Sequence, residues 1–410
     1  MPAAAPLAVT GTGIVSPGGN GTDATWEFLC RGRSAARLDP ALDGTPLPLS
    51  CRVPAFEAKD SGLAQPWRYD RSTQLLAAAA HEALGRAGLR PEDWDPDRVA
   101  VVVGSAAGGI ETLEAAHRRL LDGGPAALSP HTLTGYLPNL SAAGHLALAL
   151  GVTGAALHTS TACASGATAV ITAALLIASG ACDIALAGGT DAMVTPLCSA
   201  AFAKMGALSR RTDDPAAASR PFDKDRDGFV LAEGAGLLVL ERPAHAAARG
   251  ARPLAVLSSY AATSDAHHPV VPDPGGRGLR TAVGRALAAA GAAPADVDHI
   301  NAHGTSTPLN DRTEAAAIRS VFGPDGPSVT SVKGALGHTM GAAGAIEAAL
   351  TVTSIARSQA PPTANLIAPD PAAAALDLVA GAPRSQRIGL ALSHSLGFGG
   401  HNTVLAFAGP

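Results

Sequence analysis

A cysteine and two histidines stand out because each sits in a loop of small residues directly after an apolar, strand-like run. Cys163 lies in TSTACASGATAV, where such a run gives way to a long uncharged helical segment. His303 lies in NAHGTSTPLND, among glycine and hydroxyl residues, and His338 in VKGALGHTMGAAGAIEA, with Lys333 before it and Glu347 beyond. A further loop, SHSLGFGGHN, holds Phe398 between glycines. Such a set could support nucleophilic chemistry, with a thiol to attack and imidazoles to handle protons or developing charge. Each residue alone also has a plain reading. Free cysteine packs like a small hydrophobe, a buried histidine is commonly just hydrogen-bonded, and a Lys–Glu pair can simply hold a loop. What favours function is that α/β folds present functional groups where strands end, and all of these loops follow an apolar strand.

The strands that must carry these loops are legible as short apolar runs. Leu7–Gly13, Val99–Gly104, Ala155–Thr159 and Asp183–Gly188 read as buried strands, and Arg71–Ala87 and Leu279–Ala290 as helices. A second cycle begins at Pro253 (PLAVLSSYAATSD) and continues through Val297–Ala302, Ser328–Val332 and Ile388–Ser393. The expectation is an α/β fold of two architecturally similar halves, 1–250 with the cysteine and 251–410 with the two histidines. No Ser/Gly linker separates them. Gly11 and Gly13 follow a strand, as a dinucleotide fingerprint requires, but its third position is Ser16 and Pro17 follows. Tight turns are expected there instead.

Composition excludes other classes. The chain has 410 residues, is 47% hydrophobic and carries a formal net charge of −4, without a basic run, so no nucleic-acid partner is expected. Its five cysteines form no CxxC or zinc spacing, and His267 and His268 are adjacent rather than spaced as ligands, so neither metal nor disulfides are expected. Thr159–Cys182 is uncharged and long enough to span a bilayer. Its Ser, Thr, Gly and Ala content, with no flanking Lys or Arg, points to a helix buried all round and to no membrane partner. MPAAAPLAVTGTG lacks a basic stretch before a long apolar core, so a signal peptide is not expected and the location is read as cytoplasmic.

The motifs together resemble the elongating β-ketoacyl-ACP synthases, a family of thiolase-fold condensing enzymes. The likeness runs from VTGTGIVSPGGNGTDATWEFLCRGRSA through TACASGATAV, RPFDKDRDGFVLAEGAGLLVLE, NAHGTSTPLND and VKGALGHTMGAAGAIEA to LGFGGHN. It implies a thiolase-like fold of two pseudo-duplicated halves layered α/β/α/β/α. It also implies decarboxylative Claisen condensation: Cys163, at a helix N-terminus that favours thiolate, takes the acyl group from an acyl carrier protein (ACP). His303 and His338 stabilise the enolate left by malonyl-ACP, and which of them, if either, moves a proton stays open. Having histidine at both positions separates this chain from initiating synthases and thiolases, and Cys163 from the inactive chain-length factors. The resemblance further implies that Lys333 and Glu347 give electrostatic support and that the N–H groups of Cys163 and Phe398 form an oxyanion hole with Phe398 as gate. Thr305 and Thr307 would hydrogen-bond the phosphopantetheine arm.

Two departures stand in the last loop, where His394 and Leu396 occupy positions that are often Asn and Phe. No tightly bound cofactor is implied, since substrates arrive on the phosphopantetheine of ACP. Arg68, Arg210 and Arg211 match the carrier-docking segments of relatives, where cations would steer an acidic partner. A dimer is implied through the strand edge at Ala155–Thr159: a homodimer in fatty-acid elongation, or a heterodimer with a Cys-less chain-length-factor homologue in a type II polyketide system. The NDRTE run, Asn310–Glu314, leans toward the polyketide system. The alternative of another class is a non-catalytic subunit that shapes a partner's pocket.

Overall fold

Ten principal strands carry the fold, and the computed structural model describes them within residues 6–137 and 142–410. The first five are β1 (Leu7–Ser16), β2 (Val99–Gly104), β3 (Ala156–Thr159), β4 (Ile184–Ala192) and β5 (Leu231–Glu241). The second five are β6 (Ala255–Ser264), β7 (His299–Asn301), β8 (Ser328–Thr330), β9 (Leu390–Gly397) and β10 (His401–Ala408). In space they are ordered β3-β2-β4-β5-β1 and β8-β7-β9-β10-β6. Counted along the chain, each set reads 3-2-4-5-1, with two parallel pairings followed by two antiparallel ones. The sets join at β1, whose Leu7–Val9 segment pairs with β5 on one side and β6 on the other.

Five helices complete the layers: α1 (Arg71–Ala87), α2 (Ser165–Ala178), α3 (Arg277–Ala290), α4 (Pro308–Phe322) and α5 (Ala343–Arg357). Helices α2 and α5 pack on each other between the sheets, α1 covers the first sheet from outside, and α3 covers the second. This is the α/β/α/β/α body of a thiolase-like fold. Helix α5 is buried from Ala343 to Ile355, as its near-continuous small and apolar sequence requires. Helix α2 departs from the expected all-round burial, because Leu175 is 47% exposed on its outer side. No helix among the described residues is long and apolar enough to cross a membrane.

Strands β5 and β10 escape the sequence reading. In β5 the acids Glu233 and Glu241 interrupt the apolar run, yet both are fully buried because partners neutralise them. Glu233 accepts two bonds from Arg71 at 2.7 Å, and Glu241 accepts from Arg249 Nε at 2.9 Å. Strand β3, read as buried, lies instead at the open edge of the sheet with Ala156 and Leu157 exposed. Gly11 and Gly13 are not in turns. They sit inside β1 where α1 crosses it, and a Cβ added at Gly13 would lie 1.9 Å from the Ala79 carbonyl oxygen.

That contact predicts opposite outcomes for two glycine substitutions. Gly13→Ala forces the helix off the sheet and costs about 1–3 kcal/mol. Gly284→Ala, in the middle of α3 with open space around its notional Cβ, stabilises by about 0.5–1 kcal/mol. Thermal melts of the two variants check both signs.

Candidate active site

The turn between β3 and α2 presents Cys163 in an enforced conformation. Ala162 has φ +51°, a left-handed value that a non-glycine residue keeps only when its surroundings impose it. Ser165 imposes it: its Oγ donates to the Ala162 carbonyl at 2.6 Å and accepts the Thr161 N–H at 2.9 Å. Against this turn lies the end of β9. A Cβ at Gly397 would come within 2.4 Å of the Thr161 oxygen, so only glycine lets the next residue, Phe398, bring its N–H to the Cys163 sulfur.

The histidines come from the second sheet's loops. Beyond β7, the His303 and Gly304 N–H groups donate to Glu314 of α4 at 2.8 and 2.7 Å, which fixes the loop from below. His338 lies between the short helical turn Lys333–Leu336 and α5. The sulfur of Cys163 and one nitrogen from each imidazole all lie within 4.8 Å of one another. Lys333, 1% exposed, reaches this centre from behind. Its ammonium donates to the His303 carbonyl at 2.6 Å, lies 3.3 Å from His303 Nδ1, and pairs with Glu347 Oε1. A cavity of about 380 Å³ opens from the triad past Thr305, Thr307 and Phe398 to the surface.

Comparison with known proteins identifies the family. Residues 4–246 match the beta-ketoacyl synthase N-terminal domain, and residues 254–367 its C-terminal domain. The chain belongs to the β-ketoacyl synthase family. It is 42% identical to a 3-oxoacyl-[acyl-carrier-protein] synthase 2 of Synechocystis sp., over 98% of this chain and 97% of that protein. A Staphylococcus aureus protein of the same name is 40% identical with the same coverage. Among solved structures, the ishigamide ketosynthase/chain length factor superposes with a TM-score of 0.93 at 34% identity, covering 100% of both chains. A type II polyketide carrier protein in complex with its ketosynthase gives 0.91 at 31%, covering 98% of this chain and 99% of that one. The protein is therefore a condensing enzyme of the acyltransferase class.

Hydrogen bonding assigns the tautomers in this β-ketoacyl synthase. The Met340 N–H donates to His338 Nδ1 at 3.2 Å, and the Lys333 ammonium faces His303 Nδ1. Both Nδ1 atoms accept, so each neutral ring carries its proton on Nε2. Neutrality follows from burial first and from the Lys333 charge second, which together hold both histidines well below the usual imidazole range. Burial raises Glu347 while Lys333 opposes it.

Cys163 departs from the expected resting thiolate. Burial pushes its thiol up to about 12, and the Lys333 charge and the Phe398 N–H only partly offset this. The helix end acts in the lowering direction too, because Cys163 lies immediately before the N-cap residue Ala164.

Thr305 and Thr307 line the cavity with their hydroxyls 2.9 Å apart, Thr305 nearly buried. Arg210 and Arg211 follow the cavity-wall residues Met205–Ala207; the Arg210 N–H bonds Asp227, and Arg211 donates to the Asp225 carbonyl. Arg68 is not brought to this cavity. It borders a separate polar hollow and stacks over Trp67 at 5.0 Å. His394 is fully buried, its Nδ1 3.3 Å from Glu314, and Leu396 lines the cavity. His268 accepts the N–H groups of Val270 and Val271, which shapes the cavity mouth.

Three acids and one arginine here were missed from sequence. Glu314, Asp311 and Asp191 are buried acceptors of loop N–H groups, and Arg226 donates to the Thr307 and Pro308 carbonyls at 3.3 and 3.0 Å. The available signal was a charge inside an otherwise small or apolar stretch, as in IALAGGTDAMV.

The raised thiol predicts how Cys163 reacts with pH. Below its pKa the group is neutral, so iodoacetamide alkylation rises about tenfold per pH unit from 7 to 10 without a plateau. Mass spectrometry of the Cys163 peptide against time measures this. A plateau already reached at pH 7 would mean that the helix end and Lys333 outweigh burial.

Proposed function

We propose that this β-ketoacyl synthase elongates carrier-bound acyl chains by decarboxylative condensation, with residues 1–250 supplying the nucleophile and 251–410 the enolate site. The observation that carries this reading is the approach of the Cys163 sulfur to two neutral imidazoles at the base of one cavity. In the first half-reaction, the sulfur attacks the thioester of acyl-ACP. The N–H groups of Cys163 and Phe398 receive the oxyanion, and the thiol proton ends on the departing pantetheine sulfur. In the second, the malonyl C–C bond breaks, CO₂ leaves, and the electron pair resides on an enolate facing the two Nε2–H donors. The enolate carbon then attacks the acyl-Cys163 thioester. The sulfur leaves as thiolate and takes up from solvent the one proton that the overall reaction consumes, a protonation that burial favours. Burial, with the Lys333 charge adding to it, keeps both imidazoles neutral, which supports hydrogen-bond donation rather than proton transfer as their part.

The partner in this reading is ACP, with Thr305 and Thr307 receiving its phosphopantetheine arm, Phe398 gating the acyl pocket, and Arg210 and Arg211 at the rim. Arg68 has weaker support, lying on a different hollow. No tightly bound cofactor enters the scheme.

For the pathway, the lean on the NDRTE run loses its force. Asp311 and Glu314 of that run are buried anchors of the His303 loop, a task either pathway requires. The full-length relatives named 3-oxoacyl-ACP synthases favour fatty-acid-type elongation. Polyketide synthesis is the second reading, supported by the likeness to ketosynthase/chain-length-factor structures.

Either pathway fits a dimer through β3. Among the described residues that strand leaves one edge unpaired beside exposed Leu148, Leu157 and Leu175, whereas the opposite end of the sheet is covered by Asp377–Leu378. Light scattering of the purified chain is expected to give twice the chain mass in the fatty-acid case. In the polyketide case a stable dimer forms only on co-expression with a Cys-less homologue. An active monomer overturns both.

The two half-reactions separate by mutation. Cys163→Ala abolishes condensation but still converts malonyl-ACP to acetyl-ACP. His303→Ala and His338→Ala each depress that decarboxylation by about 100-fold or more, the scale of a lost oxyanion donor. Mass spectrometry of the carrier protein, with circular dichroism as the folding control, gives the answer. Loss of decarboxylation in Cys163→Ala together with wild-type decarboxylation in a histidine variant would overturn this division.

A further inference from the structure

We propose that Asp191 is a positioning residue for the decarboxylating half-reaction, acting through the Met340–Gly341 turn to hold His338 as an Nε2–H donor. The inference rests on the reading of His338 given above. Asp191 is the next-to-last residue of β4 in the first half, while the turn it grips belongs to the second. Its side chain is completely buried. One carboxylate oxygen accepts the Gly341 N–H at 2.6 Å and the Ala106 N–H at 2.9 Å, and the other accepts the Ser105 hydroxyl at 2.6 Å.

The consequence for His338 passes through one residue. Met340, whose N–H donates to His338 Nδ1, has φ +51°, a left-handed conformation unfavourable for a side chain of its size. The Asp191 bond to the next N–H is what locks that turn. Gly341 allows the grip because a Cβ there would lie 2.5 Å from both Asp191 Oδ2 and the Ala106 nitrogen. If the turn relaxes, His338 Nδ1 loses its donor. The ring can then place its proton on Nδ1, leaving Nε2 with a lone pair facing an enolate, which it would repel.

Asp191 also acts on Cys163, in the opposite sense. Its negative charge is among the influences that raise the thiol. Removing that charge while weakening the turn therefore makes the two half-reactions move apart, which a merely structural role would not do.

The test is Asp191→Asn in the full chain, with decarboxylation of malonyl-ACP and iodoacetamide alkylation of Cys163 measured at pH 8. Decarboxylation is expected to fall at least about fivefold, short of the roughly 100-fold of a fully lost oxyanion donor because part of the His338 population keeps its Nε2–H, while alkylation is unchanged or faster. Two-bond ¹H–¹⁵N spectra of ¹⁵N-histidine-labelled protein, assigned with His338→Ala, should show the His338 Nε2–H form in wild type and a mixture in the variant. A smaller loss of decarboxylation, a parallel fall in alkylation, or an unchanged His338 tautomer overturns the proposal. Should Asp191→Asn fail to fold, Ser105→Ala decides, since it removes one donor and keeps the charge. There a loss of about threefold or more in decarboxylation with unchanged alkylation supports the proposal, and any smaller loss overturns it. Decarboxylation surviving in His338→Ala would instead defeat the underlying reading, and so the two failures are distinguishable.

Discussion

The active site depends on one buried positive charge. An ammonium taken out of water costs several kcal/mol unless its protons are all matched, and Lys333 matches its three. They meet the His303 carbonyl, His303 Nδ1 and Glu347. Each match orients something: the carbonyl sets the loop after β7, the ring nitrogen sets a tautomer, and Glu347 ties the site to α5. The same charge adds to burial in holding both histidines neutral and is the largest influence lowering Cys163 against its burial. The electrostatics of this small, buried centre are therefore set by desolvation together with a group that need not touch substrate.

That centre exists because the two sheets converge on a pair of central helices whose small residues let them approach. A Cβ at Gly166 of α2 would lie 2.8 Å from the Ala345 nitrogen, and one at Gly344 of α5 would lie 2.8 Å from the Ala167 nitrogen. Larger side chains would separate the helices and, with them, the sulfur from the imidazoles. Strain is distributed on the same plan. Ala162, Ser306 and Met340 all have positive φ beside Cys163, Thr305 and His338, and each is held by bonds from a neighbouring element. Such conformations persist only where the surroundings over-determine them.

Much of this was legible in the chain itself. The apolar runs at Val99–Gly104, Ser328–Val332 and Ile388–Ser393 announced strands because strands covered on both faces have no reason to alternate. Cys163, His303, His338, Lys333 and Glu347 could be singled out because they interrupt small-residue loops, and the motifs around them carried the family resemblance. The pattern failed where buried charge is neutralised from a distance. Glu233 and Glu241 hid β5 since their partners, Arg71 and Arg249, come from other elements. Gly11 and Gly13 looked like turn residues because the helix that crosses them begins more than fifty positions later.

Residue types and their local order determined the α/β class and singled out Cys163, His303 and His338, since these follow from short-range patterns of polarity and glycine. Only the tertiary structure decided the protonation and aim of those groups. Whether Cys163 rests as thiol or thiolate is a balance of desolvation against Lys333, which lies 170 residues away along the chain. The proton-bearing nitrogen of His303 is set by an ammonium thirty residues along the chain, and that of His338 by the Met340 N–H in a turn whose next N–H is bonded by Asp191, 150 residues away. Carboxylates such as Asp191 and Glu314 acquire their roles only when folding removes water and leaves loop N–H groups as their partners. Burial and long-range pairing are properties of the packed chain, and a linear pattern does not carry them.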